Sequence, residues 1–117
     1  MESSILTSIK KLLNISEECD SFDTDIIIHI NTVLMILTQI GVGPSEGFSI
    51  TDENDVWTDF IPDIKKIESV KTFVYLKVKL IFDPPSSSAV MEAFKQSISE
   101  LEWRLNAACD TDNKGGV

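Results

Sequence analysis

Hydrophobic positions recur with a helical period in four stretches of the chain. Ile5, Leu6, Ile9, Leu12 and Leu13 stand at i, i+1, i+4, i+7 and i+8, which is one face of a helix over about Ser4 to Leu13. Ser3 or Ser4 can cap its start by accepting from an orphan backbone N–H. Lys10 and Lys11 fall in its last turn, where a cation meets the negative helix end. The polar connector NISEECDSFDTD follows, carrying Glu17, Glu18, Asp20, Asp23 and Asp25. Asp23 or Thr24 is the expected cap of a second helix, over about Asp25 to Ile40, and Gly41 is a suitable stop.

This second helix carries two stripes. Ile26, Ile27, Ile30, Val33, Leu34, Leu37 and Ile40 share one broad arc, and His29, Asn31, Thr32, Thr38 and Gln39 occupy the other half. Ile28 and Met35, seven residues apart, interrupt the polar half. A lone chain can bury the first stripe; the second calls for another helix or another subunit.

From Gly41 to Phe60 no helical period appears, and Gly41, Gly43, Pro44 and Gly47 punctuate the stretch. Residues Gly47 to Ile50 are expected to be extended, as part of a short β-hairpin. Trp57 and Phe60 read as aromatic anchors, onto the domain or onto a partner, and Trp57 leans toward a partner because it sits in a long loop. From Asp63 to Phe82 a helical period (Ile67, Val70, Phe73, Val74, Val78, Ile81) competes with alternation in VYLKVKLIF. The length of the period favours a helix. Asp83-Pro84-Pro85 ends it, and Ser86, Ser87 or Ser88 can cap a last helix over about Ala89 to Ala108. Val90, Phe94, Ile98, Leu101, Leu105 and Ala108 form the inner stripe of that helix. Glu100 and Arg104 make an i, i+4 pair, and Trp103 lies off the stripe. The expected fold is therefore all-α: a small bundle of about four helices with one long loop, forming a domain over residues 1–109. The polar tail, 110–117, is expected to be disordered.

Composition narrows the function. The chain has 117 residues, 43% hydrophobic and 25% charged, which suits one globular domain. A domain this small buries little, so oligomerisation would help it. The net charge of −9 gives no attraction to nucleic-acid phosphates. The N-terminus does not read as a signal peptide, and no run approaches the roughly 18 apolar residues of a membrane span. Cys19 and Cys109 have no metal or redox spacing and are expected to be free thiols; a disulfide would require the two ends to meet.

Candidate chemistry is sparse. His29 is the single histidine, and no nucleophile with an orienting partner stands at an arguable spacing, so no catalytic residue and no enzyme is expected. EECDSFDTD is rich in acids but lacks the glycine and closing glutamate of a calcium loop. GVGPSEG lacks a phosphate-binding pattern. No metal or cofactor is expected. Lys65, Lys66, Lys71, Lys77 and Lys79 form the densest basic set, read as solvated or snorkelling lysines, with pairing to a neighbour's acidic connector as the sharper reading.

Four segments taken together, ILTSIKKLLNI, FDTDIIIHINTVLMILTQIGVGP, VKTFVYLKVKLIFDPPSSS and EAFKQSISELEWRLNAA, resemble the head–tail connector, or head-completion, proteins of long-tailed bacteriophages and prophages. The resemblance spans about Ile5 to Ala108. It implies a mostly helical structural protein of the virion neck, present in the host cytoplasm during assembly. It also implies a ring that docks on the portal protein and extends the DNA channel toward a downstream neck or tail-completion protein, with DNA passing without sequence readout. Periodicity and aromatic content nominate Ile28, Met35, Trp57, Phe60 and Trp103 as interface residues. A small acidic regulator that mimics nucleic acid and binds a basic protein is the alternative.

Overall fold

The computed structural model describes residues 4–16 and 18–115, with the side chains of residue 64 and of residues from 107 onward left aside. Among the described residues the chain forms five helices and no strand: α1 Ile5–Leu12, α2 Asp23–Gln39, α3 Trp57–Phe60, α4 Ile64–Phe82 and α5 Ser88–Gly115. Glu17 and the last two residues lie outside that description, as does the Cys109 side chain.

Local chemistry sets most of the boundaries. The Ser4 hydroxyl accepts from the Thr7 N–H at 3.2 Å and caps α1. Asn14 adopts φ 63 after its end, with the Ile15 N–H on the Lys10 carbonyl and the Asn14 N–H on that of Lys11. Gly41, at φ 99, closes α2 in the same way, through Val42 N–H to Leu37 and Gly41 N–H to Thr38. Both are left-handed stops that satisfy orphan carbonyls. Asp63 caps α4 by accepting from the Lys65 N–H at 3.0 Å, and Ser87 accepts from the Val90 N–H ahead of α5.

The structure departs from the sequence expectations in four places. Trp57–Phe60 form the short helix α3 within the stretch that shows no helical period. α2 starts at Asp23 with Phe22 as its cap residue and no side-chain cap, because Asp23 is drawn away to Lys10. The hairpin is absent: Phe48 to Ile50 run beside α2, and the one β-type contact among the described residues joins Ser4 to Val56. α5 continues past Ala108 to Gly115. The apolar stripe stops at Ala108, whereas the helical backbone runs further.

α4 is the hub, packing against α1, α2, α3 and α5, while α1 also packs on α2. The core takes Ile5 and Ile9 from α1, Ile30, Leu34 and Leu37 from α2, and Val70, Phe73, Val74 and Val78 from α4, all 0% exposed. The competing strand pattern of residues 73–82 therefore resolves as helix. The helical period puts Val70, Phe73, Val74 and Val78 on one buried face, whereas alternation would turn Phe73 to the side opposite the other three. Lys10 is buried beneath these layers. Its ammonium donates to the Cys19 carbonyl at 2.7 Å and pairs with Asp23 Oδ1 at 2.9 Å, joining α1, the connector and the start of α2.

Candidate interaction surface

The inner face of α2 is closed by Ile26, Ile30, Val33, Leu34 and Leu37. With that face committed, the 3.6-residue period turns Ile28 and Met35 to the far side, where they are 55% and 54% exposed. Thr32 lies between them and turns its hydroxyl back on the Ile28 carbonyl at 2.9 Å, so its donor is used within the helix.

The long loop returns along this face because Asn31 holds it. Its Nδ2 donates to the Ile50 carbonyl at 3.1 Å, and its Oδ1 accepts from the Ile50 N–H at 2.7 Å. Between α2 and the loop this leaves an open groove of about 520 Å³, lined by Met35, Gln39, Glu46 and Phe48 among others. Phe48 is backed by Phe60, with ring centroids 5.5 Å apart.

Trp57 and Phe60 point the other way. They are 2% and 1% exposed, so the side of the loop that carries them anchors onto the domain itself. Of the two readings, anchors onto the domain or onto a partner, burial selects the first and corrects their nomination as interface residues. The Trp57 indole N–H donates to Ser8 Oγ at 3.2 Å, and that hydroxyl donates to the Ser4 carbonyl at 2.6 Å. The Ile5 N–H on the Asp55 carbonyl at 2.9 Å ties the loop to the start of α1. Gly43, at φ +87, lies against the Phe60 ring so closely that a Cβ there would enter it. Burying both aromatics shortens the free part of the loop; periodicity could not show this, because the partners lie on α1 and α4. Trp103, by contrast, is 71% exposed on α5.

Charge is distributed unevenly. The connector and the loop meet at a hollow of about 420 Å³ lined by Glu18, Asp20, Asp23 and Glu53 beside Lys10. The Ser16 hydroxyl, 2.6 Å away, holds the Glu18 carboxyl below its ordinary pKa. The Thr51 N–H, at 2.7 Å, does the same for Asp55. Among the lysines singled out on α4, Lys71 meets Glu68 at 3.4 Å, Lys79 the cap residue Asp83 at 3.1 Å, and Lys77 lies over the Phe73 ring at 5.8 Å. His29 is half-buried with its ring near Phe82. Cys19 carries a free thiol. Among the described residues, no group of three or more His, Cys, Asp or Glu side chains is placed to hold a metal ion. Nor is any helix long and apolar enough to cross a membrane.

The surface features that remain are apolar: the outer stripe of α2, the groove beside it, and the lone indole of α5. They suit contact with other proteins better than chemistry on a small molecule. A family model described as phage connector protein matches residues 5–112. No curated protein and no solved structure matches the chain.

Proposed function

The chain belongs to the phage connector protein family, and from that premise we propose that it is a ring-forming head–tail connector that docks on the portal and extends the DNA channel toward the tail. Membership carries the general part: a structural protein of the virion, associating with other phage head and tail proteins. The finer reading names copies of itself, the portal protein and a downstream neck protein as partners, and the neck as its place in the particle.

One observation supports the finer reading most. Ile28 and Met35 stand more than half exposed on the side of α2 turned away from the core. Apolar surface left in water costs about 25 cal/mol per Å² relative to burial, so covering this stripe with a neighbour favours assembly. The net charge of −9 suits a channel component past which DNA slides without being held.

The test is imaging of the purified protein mixed with its own portal by electron microscopy. A ring of added density coaxial with the portal is expected. The Ile28→Asp, Met35→Asp double variant, verified as folded by circular dichroism, is expected to lose it. Undiminished assembly by that variant would show that the stripe is not a contact, and no association of the native chain with the portal would overturn the ring reading.

A further inference from the structure

The groove beside Met35 and the indole of Trp103 are complementary in chemistry, yet one protomer cannot join them. α2 and α5 each pack chiefly on α4. The groove opens on the outer side of α2. Trp103 follows Ile98 by five residues, about 140° around α5 from that buried side chain. We infer that Trp103 of one copy inserts beside Met35 in the groove of a second copy, with Arg104 reaching Glu46. The inference rests on the ring reading above and names a contact that would build it.

Three properties select this occupant. The groove, at about 520 Å³, has room for an indole, and its apolar lining is a thioether and an aromatic ring, Met35 and Phe48. Sulfur–aromatic and ring–ring contacts both favour an aromatic guest. Among the described residues Trp103 is the most exposed of the large apolar side chains, at 71%. Its neighbour in sequence is a cation, and the groove carries an anion: Arg104 is now bonded to Glu100 at 2.6 Å, both well exposed, while Glu46 lines the groove. An exposed pair of this kind is held weakly, so Arg104 can exchange Glu100 for Glu46 at little cost. Two copies that each carry −9 repel overall, and a local opposite pair then directs where they touch.

The donor and acceptor surfaces differ, so one copy can give its indole to a second and receive that of a third, head-to-tail. Such contacts repeat and close into a ring when the rotation allows. A two-fold pairing would instead exchange both contacts between two copies and stop at the dimer.

Thiol crosslinking separates these cases. In full-length protein with Cys19→Ser and Cys109→Ser, Gln39→Cys marks the groove and Asn106→Cys marks the α5 face one turn from Trp103. With a short bismaleimide, on portal-bound assemblies and on concentrated free protein, the chain bearing both cysteines is expected to give a ladder of dimers, trimers and higher species. The two single variants mixed should give dimers only, and each alone none. Trp103→Ala should abolish the ladder. Glu46→Arg and Arg104→Glu should each cut it roughly tenfold, and the two combined in one chain should restore it. Dimers from either single cysteine alone, or a swap that restores nothing, would overturn the inference. A portal-bound ring that forms without the ladder overturns this contact and leaves the ring reading standing; the absence of any ring overturns both.

Discussion

α2 and α5 both carry apolar side chains on opposite sides, yet they are embedded very differently. α2 lays five fully buried side chains into the core and is flanked by α1, α4 and the returning loop. α5 spans 28 residues against the 19 of α4, on which it chiefly packs, and among its described side chains only Ile98 and Leu105 are buried, with Phe94 and Leu101 half-covered. For α2, exposed apolar surface is a remainder after a complete inner face. For α5, even the inner face is thinly covered. Most of the core is thus built from α1 to α4, and α5 is the element with most to gain from a neighbour.

Cavity-forming substitutions put this contrast to its sharpest test. Leu34→Ala on α2 is expected to cost about 4 kcal/mol, and Ile98→Ala on α5 nearer 2 kcal/mol, because a thinly covered site collapses or wets more easily. Urea denaturation of both variants checks this. Equal losses would mean that α5 is held as firmly as α2.

Next in size is the loop that binds the outer face of α2 to the body. Gly43→Ala forces an alanine to positive φ and drives its methyl into Phe60. A loss of about 2 kcal/mol is expected from the backbone strain, read as a lower thermal midpoint. An unchanged midpoint would show that the loop moves aside freely.

Polar replacement on the outer stripe should be nearly neutral for folding. Ile28→Asp and Met35→Asp remove no buried contact, and each is expected within about 0.5 kcal/mol of the native stability. A large loss by chemical denaturation would place the stripe inside the fold and erase the distinction between the two sides of α2.

The smallest effect concerns acid. Asp55 accepts from the Thr51 N–H and hydroxyl and from the Asp52 N–H, so its folded pKa lies below the ordinary carboxylate value. A lowered folded pKa means stabilisation that is present above about pH 4 and is lost as pH falls through the folded value. The loop 51–55 should loosen over that acid window, visible as NMR shift changes at Thr51. Asp55→Asn should remove the pH dependence. Its cost is expected to stay within about 0.5 kcal/mol, since the group is at the surface.

Helix positions and ends were legible because they depend on neighbours in sequence. Ser4, Gly41 and Asp63 act through hydrogen bonds to residues within a few positions, and the stripe through Ile26 to Leu37 repeats at the pitch of the helix itself. The two-sided character of α2 followed from the same arithmetic, and it supplied Ile28 and Met35. Trp57 and Phe60 were misjudged because their destinations, Ser8 across 49 positions and the packing under Gly43, leave no periodic trace. Lys10 looked like a solvated end-of-helix cation, and nothing local reveals that Cys19 and Asp23 close over it. Asn31 likewise looked like one more polar residue on an outer face until the loop came back to meet it.

The pattern of apolar residues therefore determined an all-helical chain, the places of its four longer helices, and that one helix has a side to spare. Folding in three dimensions decided which aromatics that spare side keeps. It drew Trp57 and Phe60 inward, where burial and a hydrogen bond outweigh exposure, and left Trp103 and the Met35 groove facing water. The reason is physical: helix periodicity is written by short-range geometry, whereas the choice between core and surface depends on which distant segments arrive to exclude the water.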